Sequence, residues 1–261
     1  MTADGWTKAV RQQLGLGRVL PLGGPHDGAW ITEVAAEAVL RRGAASLRGV
    51  SLGVLRIAPA DTDDFPASPD SLDSPASPET AVPAPPSALP PGPLRITAGF
   101  AAAAGPTAEP FPALAARLRS VLSATARERL GLRVTEVDLR VTHLLADDEE
   151  ETAARTFPGP APSAPAPPPT GDDEDSRTAA AALAVPGVTR LTTALGGPVT
   201  AGSTTGPALP RRHVRVELAV SEERRALDVA REVRAAVSEA LPDRPSVAVL
   251  VTAVGGQQTA R

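Results

Sequence analysis

The chain reads as an α+β protein: two tandem small modules, each a helix packed on a short mixed β-sheet, with disordered Pro/Ala/acidic linkers. Three observations predict this. A long amphipathic helix pattern leading into an alternating apolar strand occurs twice, ending once in Gly131-Leu132-Arg133-Val134-Thr135-Glu136-Val137-Asp138-Leu139-Arg140-Val141-Thr142 and once in Ser246-Val247-Ala248-Val249-Leu250-Val251-Thr252. Each helix follows a short alternating strand, Leu94-Arg95-Ile96 in the first copy and Val214-Arg215-Val216 in the second. The 29 prolines and 22 glycines of the 261 residues gather in stretches with little to bury. A repeat identifies architecture before any motif does, and the foldable part that is left suits two units of about 80 residues.

Residues 1–30 read as an N-terminal extension, with a short helical pattern (Trp6, Val10, Gln13, Leu14) and turn signals at Gly15, Gly17 and Gly23-Gly24-Pro25. The first module spans 31–145. Thr32 can cap a helix whose first turn holds Glu33, where the helix dipole favours negative charge. Val34, Ala35, Ala38, Val39 and Ala45 fall on one face of it, Gly49 stops it, and Val50 to Ile57 alternate as a strand. Residues 59–93 hold Asp, Ser, Ala and Pro, and such composition does not offset its ordering entropy, so this insertion is expected to be disordered. The module resumes with a strand from Leu94 to Phe100. Pro112 opens a helix with the stripe Leu114, Leu118, Val121 and Leu122, and a strand from Leu132 to Leu145 turns Val137, Leu139 and Val141 to one face.

Residues 146–176, with acidic runs at Asp147 to Glu151 and Asp172 to Asp175 around a Pro/Ala tract, read as a solvated linker. The second module spans 177–254. It opens with an alanine-rich helix to Ala184, turns at Pro186-Gly187 into a strand from Val188 to Leu195, and crosses a Gly/Pro loop from Gly196 to Pro210. Strand His213 to Val220 follows, then a helix capped by Ser221 that aligns Val229, Val233 and Val237. The last strand follows Pro242, and 255–261 form a tail. The expected core is therefore Val39, Leu114, Leu118, Val121, Leu122, Val137, Leu139 and Val141 in the first module, and Val216, Val229, Val233, Val237, Val249 and Val251 in the second. Gly49, Gly131, Pro186 and Gly187 mark the turns.

The same residues narrow the chemistry. The chain has no cysteine, which removes disulfides, thiolate metal sites and cysteine nucleophiles. His26, His143 and His213 stand far apart, so no metal site is expected. Lys8 is the one lysine and precedes every glycine pair, so no phosphate loop can form. There is no Gly-x-Ser-x-Gly elbow, and the carboxylate pairs sit in linkers that hold no fixed geometry. No catalytic residue, cofactor or metal is expected. The net charge of −4 and the alternation of Arg with Glu on the helices argue against nucleic acid. No signal peptide or spanning apolar run is visible, which reads as a cytoplasmic protein without direct membrane insertion. Trp6 and Trp30 are expected to staple the N-terminal segment onto the first module.

The order helix, strand, strand, helix, Gly-Leu-x-Val-x-x-Val-x-Leu-x-Val strand resembles the alkaline shock protein family of Gram-positive general stress proteins. The residues that carry the likeness are Ile31-Thr32-Glu33-Val34 leading to Gly49-Val50, Gly131 to Val141, and Val185-Pro186-Gly187-Val188. The first copy departs from the family by its long insertion and the second by lacking the Gly-Leu pair, as in an actinobacterial tandem variant. The resemblance implies a non-enzymatic interaction or scaffold protein of envelope-stress physiology. It also implies protein partners: self-association, and a small membrane-anchoring protein that would hold the chain at the inner face of the membrane. The competing reading is a small-molecule-binding or regulatory module with a pocket between the two copies.

Overall fold

A computed structural model describes residues 17–60, 82–105, 109–145, 166, 173–195, 197–204 and 211–255. The helical pattern of Trp6 to Leu14, most of the insertion, the acidic run at Asp147 to Glu151 and nearly all of the tail lie outside the described residues.

In chain order the elements are β1 (Val19–Leu22), β2 (Ala29–Thr32), α1 (Glu33–Ala44), β3 (Val50–Pro59), β4 (Leu94–Ala103), α2 (Phe111–Thr125), β5 (Val134–Leu145), α3 (Glu174–Leu183), β6 (Val188–Leu191), β7 (Val199–Thr204), β8 (Arg211–Val220), α4 (Ala226–Ala240) and β9 (Ser246–Val254). The protein is α+β with two mixed sheets. The smaller has the order β3-β4-β5, antiparallel and then parallel. The larger runs β1-β2-β9-β8-β6, with β7 pairing beside β6 on the same edge of β8. Within it β8 and β9 are parallel and β6 meets β8 antiparallel. The chain runs α1-β3-β4-α2-β5, with β4 and β5 parallel on either side of α2, and then α3-β6-β7-β8-α4-β9, with β8 and β9 parallel on either side of α4.

The core is continuous. One apolar cluster takes in Leu114, Leu118 and Leu122 of α2, Ile96 and Phe100 of β4, Val229, Val233 and Val237 of α4, and Val216, Val249 and Val251 of the larger sheet. Helix α1 lies between the sheets, packing on β9 of one and on β3 and α2 of the other. Val39, Val137 and the other expected core positions just named are buried. Three expected core residues depart. Val121 and Leu139 are half-buried, and Val141 is 39% exposed because β5 runs on past the helix that covers its first half.

The segment before Thr32 corrects the expectation of an extension. Val19-Leu20-Pro21-Leu22 and Ala29-Trp30-Ile31-Thr32 form a fully buried hairpin, and β2 adds parallel to β9. Strands buried on both faces carry no alternation, so the period-2 signal was absent. Trp30 packs with Val19, Ala248 and Leu250 on the outer face of the larger sheet, and so staples the hairpin to β9, not to the expected first module. The insertion is also shorter than expected. Pro59 belongs to β3, and at the far end Leu89 N–H donates to Val19 C=O at 2.8 Å while Val82 and Ala88 cover Trp30.

Local chemistry sets the helix ends. Thr32 caps α1, its hydroxyl accepting from Ala35 N–H. Asp173 caps α3 by accepting from Ser176 N–H at 2.8 Å, with Glu174 and Asp175 in the first turn, so the second acidic run is a helix start and not linker. Ser221 does not cap α4: its hydroxyl accepts from Glu223 N–H in a turn ahead of the helix, which begins at Ala226. Strand β6 ends at Leu191, and Val199–Thr204 pair with β8 where a loop was expected. Among the described residues no helix is long and apolar enough to cross a membrane.

Candidate interaction surfaces

The seam where the end of α2 and the β1–β2 turn meet α4 is stitched by arginines. After α2 the chain widens into a π-turn (Ala126–Leu130) and stops at Gly131, whose φ of 94° is left-handed. A Cβ there would lie 2.5 Å from Leu227 Cβ of α4, and the Gly131 carbonyl accepts from Gly23 N–H at 3.0 Å. Glycine at 131 thus lets the end of α2, the β1–β2 turn and α4 meet at one point. Around it Arg129 donates to Glu222 C=O and Arg225 to Arg127 C=O. Arg231 forms a two-pronged pair with Asp27 at 2.8 and 3.1 Å, and Arg234 donates to the carbonyls of His26, Asp27 and Val247. Burial works to raise the Asp27 pKa, but the Arg231 pair, the Gly24 N–H and the Arg234 charge outweigh it and hold the carboxyl below its usual range.

Beside this seam lies a cleft of about 560 Å³. Helix α1 contributes Val39, Arg42 and Gly43, the turn after it Ser46, and α2 with its π-turn Val121, Ala124, Thr125, Glu128 and Arg129; Glu222 precedes α4 and Val254 ends β9. Gly43 permits the close approach of the two helices, since a Cβ there would sit 2.6 Å from the Thr125 hydroxyl. Valines and small residues make the walls. The charged groups are already engaged: Arg42 donates to Val254 C=O at 2.8 Å and lies 3.4 Å from the Glu222 carboxylate.

Two buried carboxylates hold the frame. Glu33, at the start of α1, accepts from Arg18 N–H at 3.3 Å and Ile57 N–H at 3.2 Å, tying the approach to β1 onto β3. Glu217 of β8 sits where β6 gives way to β7. It accepts from Ala194 N–H at 2.6 Å and Leu195 N–H at 2.9 Å, with the Arg215 guanidinium 3.4 Å from its other oxygen. Burial pushes its pKa up, against the opposing pull of those amides and of Arg215. Thr32, Thr192 and Thr252 carry a second buried polar thread, with Thr192 and Thr252 hydroxyls 2.8 Å apart.

The third feature is the outer edge of β5. Arg119 of α2 donates to the Val137 carbonyl on that edge at 3.0 Å, and among the described residues no strand pairs there. β7 also has no strand on its outer side among the described residues, whereas three other sheet ends carry contacts. Arg41 donates to Leu52 and Gly53 carbonyls at the bulged start of β3, Ala88 and Leu89 cover β1, and Ala166 N–H reaches Leu191 C=O of β6. At the C-terminal end of β5, Val141 and Leu144 are 39% and 58% exposed, and Phe111, which starts α2 at that same end of the sheet, is 40% exposed.

The histidines do not converge. His143 lies on β5, His26 in the hairpin turn, and His213 Nδ1 is 3.1 Å from the Ser246 hydroxyl, its pKa lowered mainly by burial. Among the described residues no group of three or more His, Asp or Glu could hold a metal ion. Sequence reading took the alternation of Arg with Glu on the helices only as an argument against nucleic acid, whereas the structure turns Arg129, Arg225 and Arg234 to backbone carbonyls across the seam. The chain matches no protein-family model and no curated protein.

Proposed function

We propose that the chain is a non-enzymatic interaction or scaffold protein built from two copies of one α-β-β-α-β unit, the second copy's sheet extended by the N-terminal hairpin. The observation that carries this reading is the β5 edge, on which no strand pairs among the described residues, with exposed Val141 and Leu144 beside it, since an open strand edge is a template for adding a strand from another chain. The repeated element order supports the duplication. In keeping with the resemblance to alkaline shock proteins, the setting we propose is cytoplasmic envelope-stress physiology. Contact with the inner face of the membrane would run through a small partner protein. Photocrosslinking from Leu144 in native cells tests it: adducts with specific proteins are expected, and recovery of the uncrosslinked chain alone would contradict it.

A second reading is supported by the cleft. Its position between the repeats and its volume suit a small, largely apolar molecule. A thermal-shift screen against metabolites separates the two, because only this reading expects a reproducible ligand-dependent rise in melting temperature that substitution of Val121 by a bulkier residue removes.

A further inference from the structure

Resting on the interaction reading of the β5 edge, we propose that its partner is β5 of a second copy, paired antiparallel about a two-fold axis through Leu139. The register follows from backbone direction and from charge. Leu94 N–H donates to Arg133 C=O, and one extra residue of β5 follows in the shift between Leu94 and Arg95. Alternation from that point turns the N–H and C=O groups of Val137, Leu139 and Val141 away from β4, in agreement with the bond from Arg119 to the Val137 carbonyl. These are the groups a second strand would meet. Centring the axis on Leu139 sets Val137 opposite the second copy's Val141. It also sets Asp138 opposite that copy's Arg140, twice by symmetry, in the non-hydrogen-bonded positions where facing side chains come closest.

The neighbouring registers are worse. An axis through Asp138 puts the two Asp138 side chains face to face, one through Arg140 does the same with two arginines, and one through Val137 sets Asp138 against Glu136. Like charges directly opposite destabilise a sheet pair. A shift by one residue between the strands instead mismatches their faces. The pairing would cover Val141, now exposed, with the second copy's Val137. Ala116 and Ser123, at helical spacing on either side of Arg119, are small enough to let the two α2 helices approach. The contact is short, so the association is reversible and concentration-dependent.

Sedimentation velocity of the full chain from low micromolar to millimolar concentration tests the proposal, with four proteins whose folding is checked by urea melts and one equimolar mixture. The parent is expected to form dimers. Arg140→Asp and Asp138→Arg are each expected to weaken the dimer by about tenfold or more, since two attractive pairs become repulsive. An equimolar mixture of these two variants is expected to recover the dimer as a heterodimer, because one copy then carries two acids and the other two arginines at the facing positions. The double variant is expected to recover it as a homodimer. A parent that stays monomeric, or a dimer indifferent to these substitutions, overturns the proposal. If the parent is monomeric while Leu144 still crosslinks to other proteins in cells, the second-copy partner is wrong and the interaction reading survives. If neither occurs, both fall.

Discussion

Gly131→Ala is the single substitution that should disturb the molecule most for the fewest added atoms. Gly131 has φ 94° and ψ 21°, a left-handed conformation that costs an alanine about 1–2 kcal/mol. The new methyl would also lie 2.5 Å from Leu227 Cβ and 2.9 Å from Leu227 Cδ2, so either α4 or the π-turn must move. Overpacking of that kind costs about 1–3 kcal/mol. Together the two effects remove about 2–5 kcal/mol, a large share of the total stability of a protein this size. Urea denaturation should show a lower midpoint with an unchanged slope. Gly202→Ala is the matched control: Gly202 lies on β7 with nothing near its added Cβ, so its cost should stay within about 0.5 kcal/mol. Adding Leu227→Ala should not rescue Gly131→Ala, because the nearest clashing atom is the Cβ that alanine keeps. Equal stability of the two glycine variants, or full rescue by Leu227→Ala, would refute the packing argument at the seam.

Other outcomes follow from the same geometry. Leu118→Ala, fully buried between α2 and the smaller sheet, should cost about 2–5 kcal/mol by urea melt; parental stability would mean the wrong helix face is inside. Glu33→Ala strands the Arg18 and Ile57 amides and should cost about 2–4 kcal/mol, mostly recovered by Glu33→Gln, which keeps an acceptor oxygen. Glu217 has a raised pKa in the folded state, so the fold binds its proton more tightly than the unfolded chain does. Its ionised form is the less stable one, and the group adds stability as pH falls from neutral toward the unfolded carboxyl value of about 4.3. The parent should therefore gain on Glu217→Gln as the solution is acidified, and a stability difference that does not vary with pH would contradict the burial argument. Asp27 runs the other way. Its depressed pKa means that the Arg231 pair contributes above the unfolded value and is lost as pH falls through the folded one, so Asp27→Asn should cost most at neutral pH.

The legible part of the sequence was whatever has one wet face. The stripes of α2 and α4 and the alternation of β3 and β4 follow from helical and strand periods, and so these elements and their order could be read directly. Elements buried on both faces or paired at an edge carried no such signal. The β1–β2 hairpin reads as short apolar runs around Gly23-Gly24-Pro25, and β7 as a Thr/Ser/Gly loop whose order is supplied by β8. The start of α3 could have been found, since Asp173 with two acids after it is a helix N-terminal signature hidden within an acidic run. The seam could not: Asp27 and Arg231 are 204 residues apart, and nothing local marks either as a partner of the other. The β5 edge lay between these cases. Its alternation predicted a strand, but that Val141 would project beyond α2 depends on where the helix begins.

The central claim is that the two sheets share one core and, as proposed, that the β5 edge takes up a second copy. Residue-resolved amide exchange of the full chain at several protein concentrations tests it most directly. Amides of β4 and of β8 should share one global opening free energy, while the Leu139 and Val141 amides should exchange fast in dilute solution and become protected as concentration rises. Separate opening free energies for the two sheets, or Leu139 and Val141 amides whose exchange never changes with concentration, would contradict it.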